Sequence, residues 1–131
     1  MRTRTVLVIA LVLAACSTPG SQVDDGPGLT GTYVVNGVDP LGVEYSGTVV
    51  ISTGDSVGEY DISWLVTGAI QEGTGTLVAD ELRVEWRTVE GPRGDSRGTA
   101  LYTVNPDGSL SGERTVDGLE GTGTEEIFPS G

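Results

Sequence analysis

Carboxylates are the side chains with which this chain of 131 residues could most readily do chemistry, because it carries 19 aspartates and glutamates and no histidine. Two carboxylates on either side of a sugar linkage can hydrolyse it, so a carboxylate hydrolase is conceivable. The lack of histidine excludes Ser-His-Asp and Cys-His catalysis and histidine-ligated zinc. Most acids fall in turns or on the outward phase of predicted strands, which is typical of a solvated surface. We expect the protein not to be an enzyme.

Oxygen-rich turns are the candidate metal ligands, because calcium binds carboxylate and carbonyl oxygens. The segments DPLGVE (39–44) and NPDGSLSGE (105–113) lack the spacing of an EF-hand loop. The two GTGT segments (73–76 and 121–124) are followed by neither a lysine nor a predicted helix, which phosphate-binding glycine loops require. The sequence predicts no metal and no cofactor.

Arg114 is a charged residue on the inward phase of a predicted strand. The turn chemistry places it opposite Ala100 and Gly121, two small residues that leave it room. We expect its guanidinium to reach the rim and pair with an acidic residue of the neighbouring links. The candidates for that partner are Glu90, Asp95 and Glu120. In the alternative, Arg114 anchors an anionic ligand at a barrel mouth.

Glu125 is a second inward-phase charge. The predicted register places it opposite Leu110, near the end of the barrel away from Arg114. Because burying an unpaired carboxylate is costly, we expect it to reach water or backbone N–H groups.

Six aromatic residues also share the inward phase, and they are either core or the lining of a ligand pocket. Two glycines favour the core, since Gly73 is predicted to lie between both tryptophans and Gly112 to face a tyrosine. Large rings over neighbouring glycines fill a barrel. We therefore expect a mostly filled interior. The six residues are Tyr33, Tyr45, Tyr60, Trp64, Trp86 and Tyr102.

Strands of alternating polarity must position these side chains, because apolar residues recur with period two and no helical spacing appears after residue 16. Glycine, proline, asparagine and aspartate separate the runs. The predicted strands cover roughly 31–36, 43–52, 58–67, 70–78, 81–88, 98–105, 109–116 and 121–128. Their short links predict an all-β, eight-stranded antiparallel up-and-down meander that closes into a small barrel. A two-sheet β-sandwich is the alternative.

Turn chemistry also predicts the register of the hairpins. A turn at 68–69 would set Trp64 opposite Gly73, and a turn at 79–80 would set Trp86 opposite the same glycine. A three-residue loop in NPDGS (105–109) would pair Tyr102 with Gly112. A turn at 117–118 would pair Gly112 with Gly123.

The N-terminus predicts export. MRTRT is followed by the apolar run VLVIALVLAA, which is too short to span a membrane and is typical of a signal peptide. The segment LAAC (13–16) resembles a bacterial lipobox, which implies cleavage after Ala15 and a diacylglycerol on Cys16. We expect a signal peptide at 1–15, a lipidated flexible tether at 16–28 and a barrel domain at 29–131. The lipid would hold the protein on the cell membrane or outer membrane, facing outside the cytoplasm.

Two wider resemblances concern the barrel domain. LTGTY, with Gly31 and Tyr33, resembles the first strand of avidin-type and lipocalin-type barrels. Segments including YSGTVVI, YDISW, LRVEW and YTVNPDGSLSG are similar to a group of uncharacterised small secreted bacterial proteins and lipoproteins. The resemblance implies the repeated strand plan and no activity.

Two functions agree with these observations. The first is a non-catalytic interaction or structural module of the cell envelope with an envelope protein as partner. The alternative is a calycin-like barrel that binds a small apolar or aromatic ligand at the mouth between the links 36–42 and 88–97. The formal net charge of −12 disfavours binding to nucleic acid.

Overall fold

The structure is a computed structural model that describes residues 28–92 and 94–130. The predicted signal peptide, Ala15, Cys16 and nearly all of the predicted tether lie outside the described residues. Within the described ranges, no helical segment has the length and hydropathy that a membrane span requires.

Eight strands form the described domain, and each one begins or ends within a few residues of its predicted limits. The strands are β1 (Gly31–Val38), β2 (Glu44–Thr53), β3 (Glu59–Val66), β4 (Ala69–Val78), β5 (Glu81–Glu90), β6 (Arg97–Val104), β7 (Leu110–Arg114) and β8 (Gly123–Pro129).

The strands pair antiparallel in chain order and close into a barrel. Closure comes from β1, which pairs with β8 as well as with β2, so that Val35 lies opposite Ile127. Such closure leaves no unpaired strand edge. The predicted eight-stranded up-and-down barrel is confirmed, and the two-sheet alternative is wrong.

The links divide between two ends of the barrel because consecutive strands run in opposite directions. One end, called the mouth, carries the links 39–43, 67–68, 91–96 and 115–122. The other, called the closed end, carries 54–58, 79–80 and 105–109 and both ends of the described chain. Leu29 is buried there, and its carbonyl oxygen accepts a hydrogen bond of 2.6 Å from the Tyr33 hydroxyl.

The core fills the barrel from the closed end upward. Inward-facing residues of seven strands are buried in it, and β4 contributes the partly buried Leu77, as period-two alternation predicts. The buried apolar residues are Leu29, Tyr33, Val35, Val49, Ile51, Ile62, Trp64, Leu82, Val84, Trp86, Ala100, Tyr102, Leu110 and Ile127.

The register of the β3–β4 hairpin differs from the prediction by two residues. Thr67 and Gly68 form the link, Val66 pairs with Ala69, and Gly68 takes the positive φ of 76°. Trp64 therefore lies opposite Gln71 instead of Gly73. The predicted pairs across β4–β5 and β6–β7 are correct: Trp86 lies opposite Gly73 and Tyr102 opposite Gly112.

The β7–β8 connection also differs from the predicted tight hairpin. After Arg114 the chain stays bonded to β6, since the Thr115 N–H donates to Thr99 and the Asp117 N–H donates to Arg97. β8 consequently starts later, and Arg114 pairs with Gly123 instead of Gly121. The same shift moves Glu125 from its predicted partner Leu110 to a position opposite Gly112, in the middle of the barrel.

Candidate functional site

A buried carboxylate forms the centre of the candidate site. Glu125 is 1% exposed and accepts hydrogen bonds from four side chains on four other strands. The donors are the hydroxyls of Tyr45 at 2.5 Å and Tyr102 at 2.6 Å, the indole N–H of Trp64 at 3.3 Å and Nη1 of Arg114 at 2.6 Å. Because the donors lie on β2, β3, β6 and β7, the carboxylate links β8 to all four strands. Hydrogen bonds to a charged group are stronger than those between neutral groups.

The guanidinium of Arg114 lies beside this carboxylate and is also buried. Its Nη2 donates to Oε1 of Gln71 at 2.7 Å. Its central carbon lies 4.2 Å from the ring centroid of Trp86 and 4.9 Å from that of Trp64, within cation–π range. Burial is the largest single effect and would lower the pKa of Arg114, but the charge of Glu125, its hydrogen bond and the smaller contributions of Tyr102 and Tyr45 together raise that pKa. Arg114 and Glu125 thus form a buried ion pair between two indole rings.

Both predictions about these charges are wrong. Arg114 does not extend to the rim toward Glu90, Asp95 or Glu120, and the hydrogen bonds of Glu125 come from side chains instead of backbone N–H groups. Each charge is the other's partner, because the shifted β8 register brings them to the same level of the barrel.

A cavity of about 280 Å³ lies between this ion pair and the mouth. Its floor carries the polar side chains of Tyr45, Gln71, Thr88 and Arg114, with the ring of Trp86 beside them. Its upper walls come from all four mouth links or the strand ends next to them. The wall residues are Asp39, Pro40, Val43, Glu44, Val66, Thr67, Gly68, Ala69, Pro92, Ser96, Val116 and Gly123.

The structure distributes the predicted lining residues over three levels. Tyr45, Trp86 and Arg114 line the cavity. Trp64 and Tyr102 lie below its floor, where both donate to Glu125. The other two lie near the closed end: Tyr33 is buried in the core and Tyr60 packs against it. The interior is therefore filled in its lower part and hollow toward the mouth.

Two floor residues were not identified from the sequence. Gln71 bridges Arg114 and Thr88, since its Nε2 donates to the Thr88 hydroxyl at 3.4 Å. Both carry a signal that could have found them, because each is a polar residue on the inward phase of its strand. Gln71 shares that phase with Gly73, and Thr88 shares it with Trp86.

Raising the pH above 10 should unfold the protein through its buried tyrosines. Burial, reinforced by the charge of Glu125, raises the pKa of Tyr45 and of Tyr102 above the usual value of 10.0. A raised folded-state pKa contributes stability below pH 10 that is lost as the pH rises further. We expect tyrosinate absorbance from these two residues to appear together with the loss of tertiary circular dichroism. Gradual ionisation of all four tyrosines in folded protein would contradict this.

Metal binding has no support in the described part of the chain. Across residues 28–92 and 94–130, no three acidic side chains come close enough together to hold a metal ion.

Comparisons with known proteins identify the fold. No protein-family model matches the sequence, and none of the curated proteins does. Among solved structures, a redesigned beta barrel is 16% identical, with a TM-score of 0.68 over 79% of this chain and 92% of that one.

Two further solved structures are similar to the same extent. The redesigned beta barrel mFAP1, solved bound to DFHBI, has a TM-score of 0.64 at 16% identity and covers 78% of this chain and 94% of its own. A de novo designed fluorescence-activating beta barrel has a TM-score of 0.60 at 19% identity, covering 77% of this chain and 93% of its own. At such identities these likenesses establish a small closed β-barrel and nothing about activity.

Proposed function

We propose that this protein is a non-catalytic, membrane-anchored receptor of the cell envelope that binds a small, largely apolar molecule in the mouth of its barrel. One observation carries the proposal: in the described part of the chain, a cavity of about 280 Å³ opens at the mouth of the barrel and ends on a buried arginine. A structural barrel has no need for such a cavity, since filling it with larger side chains would add stability.

The cavity has the composition of a ligand pocket. Ligand pockets combine apolar walls with a few placed polar groups and usually measure roughly 300–1,000 Å³. This one lies near the lower limit, so its occupant is small. Barrels of the same fold bind DFHBI, a small aromatic dye, which supports the capacity of this architecture to hold such a molecule.

A titration with two naphthalenes tests the binding function. We expect 2-acetylnaphthalene or 2-isopropylnaphthalene to quench tryptophan fluorescence saturably, because a ligand in the cavity contacts Trp86. Ala69→Phe should weaken that binding at least about tenfold, or about 1.4 kcal/mol, by filling the cavity wall. Val78→Phe, on the same strand but exposed at the closed end, is the matched control and should bind like the wild type. Failure of both naphthalenes to bind folded wild-type protein would refute the function.

The anchor is the second part of the proposal, and it rests on the lipobox resemblance. Leu29 is buried at the closed end, so a tether from Cys16 would join the barrel at the end opposite the mouth. Intact-mass measurement of protein extracted from membranes should show a chain that starts at Cys16 and carries a diacylglycerol. An unmodified Cys16 would refute the anchor without affecting the binding function.

The interaction module, the first of the two functions predicted from the sequence, stays a prediction. So does the absence of enzymatic activity.

A further inference from the structure

The floor of the mouth cavity has more hydrogen-bond donors than its own residues use. A guanidinium carries five N–H bonds. Among the described residues, Arg114 donates one to Glu125 and one to Gln71. A third N–H lies within hydrogen-bonding reach of the Tyr45 hydroxyl, so two N–H bonds remain on a side chain that is only 5% exposed and lines the cavity. The Thr88 hydroxyl, also buried, accepts from Gln71 and keeps its own proton to donate.

Unused buried donors discriminate between ligands. A hydrocarbon that displaced water from this floor would leave the buried donors without hydrogen-bond partners, which weakens its binding. A ligand that places an acceptor there avoids that cost. A site that hydrogen-bonds a polar group of its ligand binds analogues without that group much more weakly. An apolar pocket discriminates far less against an analogue that lacks a methyl group. The floor of the cavity therefore favours ligands that carry a hydrogen-bond acceptor.

The charges around the floor select against an anion. Glu125 already balances the charge of Arg114 at 2.6 Å, so an anionic ligand would add an uncompensated negative charge to the pair. It would also pass Asp39 and Glu44 at the rim and enter a chain whose formal net charge is −12. A cationic ligand would be repelled by the positive charge of the Arg114 guanidinium. An uncharged acceptor avoids both penalties.

The walls define the rest of the ligand. Above the floor, the cavity is bounded by apolar side chains such as Val43, Val66, Ala69 and Val116. The ring of Trp86 also lines the cavity, and because the Arg114 guanidinium lies 4.2 Å over its centroid, a ligand contacts only the part of the ring that the guanidinium leaves uncovered.

We infer that the ligand is an uncharged, mainly apolar molecule with a carbonyl-type oxygen that accepts hydrogen bonds from Arg114 and Thr88. This inference rests on the proposed binding function and defines its ligand class. It predicts that the inner end of the cavity receives the oxygen and that the apolar body lies toward the mouth.

Three naphthalenes of nearly the same shape test the inference. Measured by calorimetry on the full-length protein, 2-acetylnaphthalene should bind at least about tenfold more tightly than both 2-isopropylnaphthalene and 2-naphthoate. Equal or tighter binding of the hydrocarbon would refute the acceptor. Tighter binding of 2-naphthoate would refute the uncharged ligand. Either result would leave the binding function intact, whereas failure of all three compounds to bind would refute both proposals.

Variants of the floor residues test whether Arg114 and Thr88 cause the preference for the ketone over the hydrocarbon. The double variant Arg114→Met, Glu125→Gln removes the guanidinium without leaving a buried lone charge, and the ketone should lose its advantage over the hydrocarbon. Thr88→Val gives a second readout if the double variant does not fold, because it removes one floor donor and should lower the ratio of the two affinities. Arg87→Met is the matched control, since Arg87 is exposed on the outer face and its loss should not change the ratio. An unchanged ratio in both floor variants would overturn the inference.

Discussion

Replacing Glu125 with leucine is expected to lower the free energy of unfolding by about 3–5 kcal/mol. Removing one partner of a buried ion pair leaves the other charge buried without compensation, which costs about that much. Here Arg114 would keep its charge between the rings of Trp64 and Trp86. Tyr45, Tyr102 and Trp64 would lose their common acceptor as well. Urea denaturation at neutral pH measures the loss.

Glu126→Leu is the matched control for this prediction. Glu126 follows on the same strand, faces outward, and its carboxylate accepts a bond of 2.8 Å from the exposed Ser111 hydroxyl. Its replacement should change the unfolding free energy by less than about 0.5 kcal/mol. Adding Arg114→Leu to Glu125→Leu should cost less than the sum of the single changes, because neither charge is then left alone. Equal losses in the two glutamate variants would contradict the buried network.

Gly112→Val is expected to lower the free energy of unfolding by about 2–3 kcal/mol through overpacking. A Cβ atom at this position would lie 2.7 Å from the Leu101 carbonyl oxygen and 2.8 Å from Cε1 of Tyr102, and closer still to Cδ1 of that ring. The carbonyl belongs to the sheet and cannot move alone. The ring is held by its hydroxyl on Glu125, so shifting it also weakens the network.

Glu113→Val controls for the strand preference of valine itself. Glu113 is the next residue, exposed on the outer face of the same strand. Valine favours strands, so this change should be within about 0.5 kcal/mol of the wild type. Thermal unfolding of both variants at equal concentration compares them. A Gly112→Val variant as stable as Glu113→Val would mean that the Tyr102 ring does not occupy the space over Gly112.

The inward and outward faces of the strands could be predicted from the sequence, because side-chain direction alternates with a period of two. The β3–β4 link is a clear case. Its turn lies one residue earlier than predicted, which slides the pairing by two residues and changes the partner of Trp64 from Gly73 to Gln71. Trp64 still points inward, because a slip of two leaves the face unchanged.

The chemistry of the interior could not be predicted in the same way, because it depends on which residues lie at the same level. A slip of two in β8 moves Glu125 along the barrel from Leu110 to Gly112. In the predicted register the carboxylate would lie near one end of the barrel. In the observed register it lies where Arg114, Tyr45, Tyr102 and Trp64 can all reach it. The turn at Asp117-Gly118 does form, since the Leu119 N–H donates to the Val116 carbonyl and Gly118 takes a φ of 91°. Thr115 and Asp117 stay bonded to β6, however, and β8 joins β7 only from Gly123 onward, which sets the shifted register.

The cavity follows from the same geometry. At the mouth, inward positions carry residues that do not reach the axis, such as Ala69 and Gly123, while Arg114 is drawn down toward Glu125. Small residues above and a polar pair below leave open space that the aromatic residues, lying deeper or on the wall, do not fill. A sequence pattern records the direction of these side chains but not how far each one extends along the axis.

Native mass spectrometry of the protein extracted from the membranes of its own cells tests the central proposal most directly, namely that the mouth cavity holds a small molecule. The wild-type protein and the Ala69→Phe variant would be compared under identical conditions. We expect the wild type to carry an additional small-molecule mass that is released on heating and is missing from the variant. A wild-type protein that shows only the mass of its own chain and anchor, or the same additional mass on both proteins, would contradict the proposal.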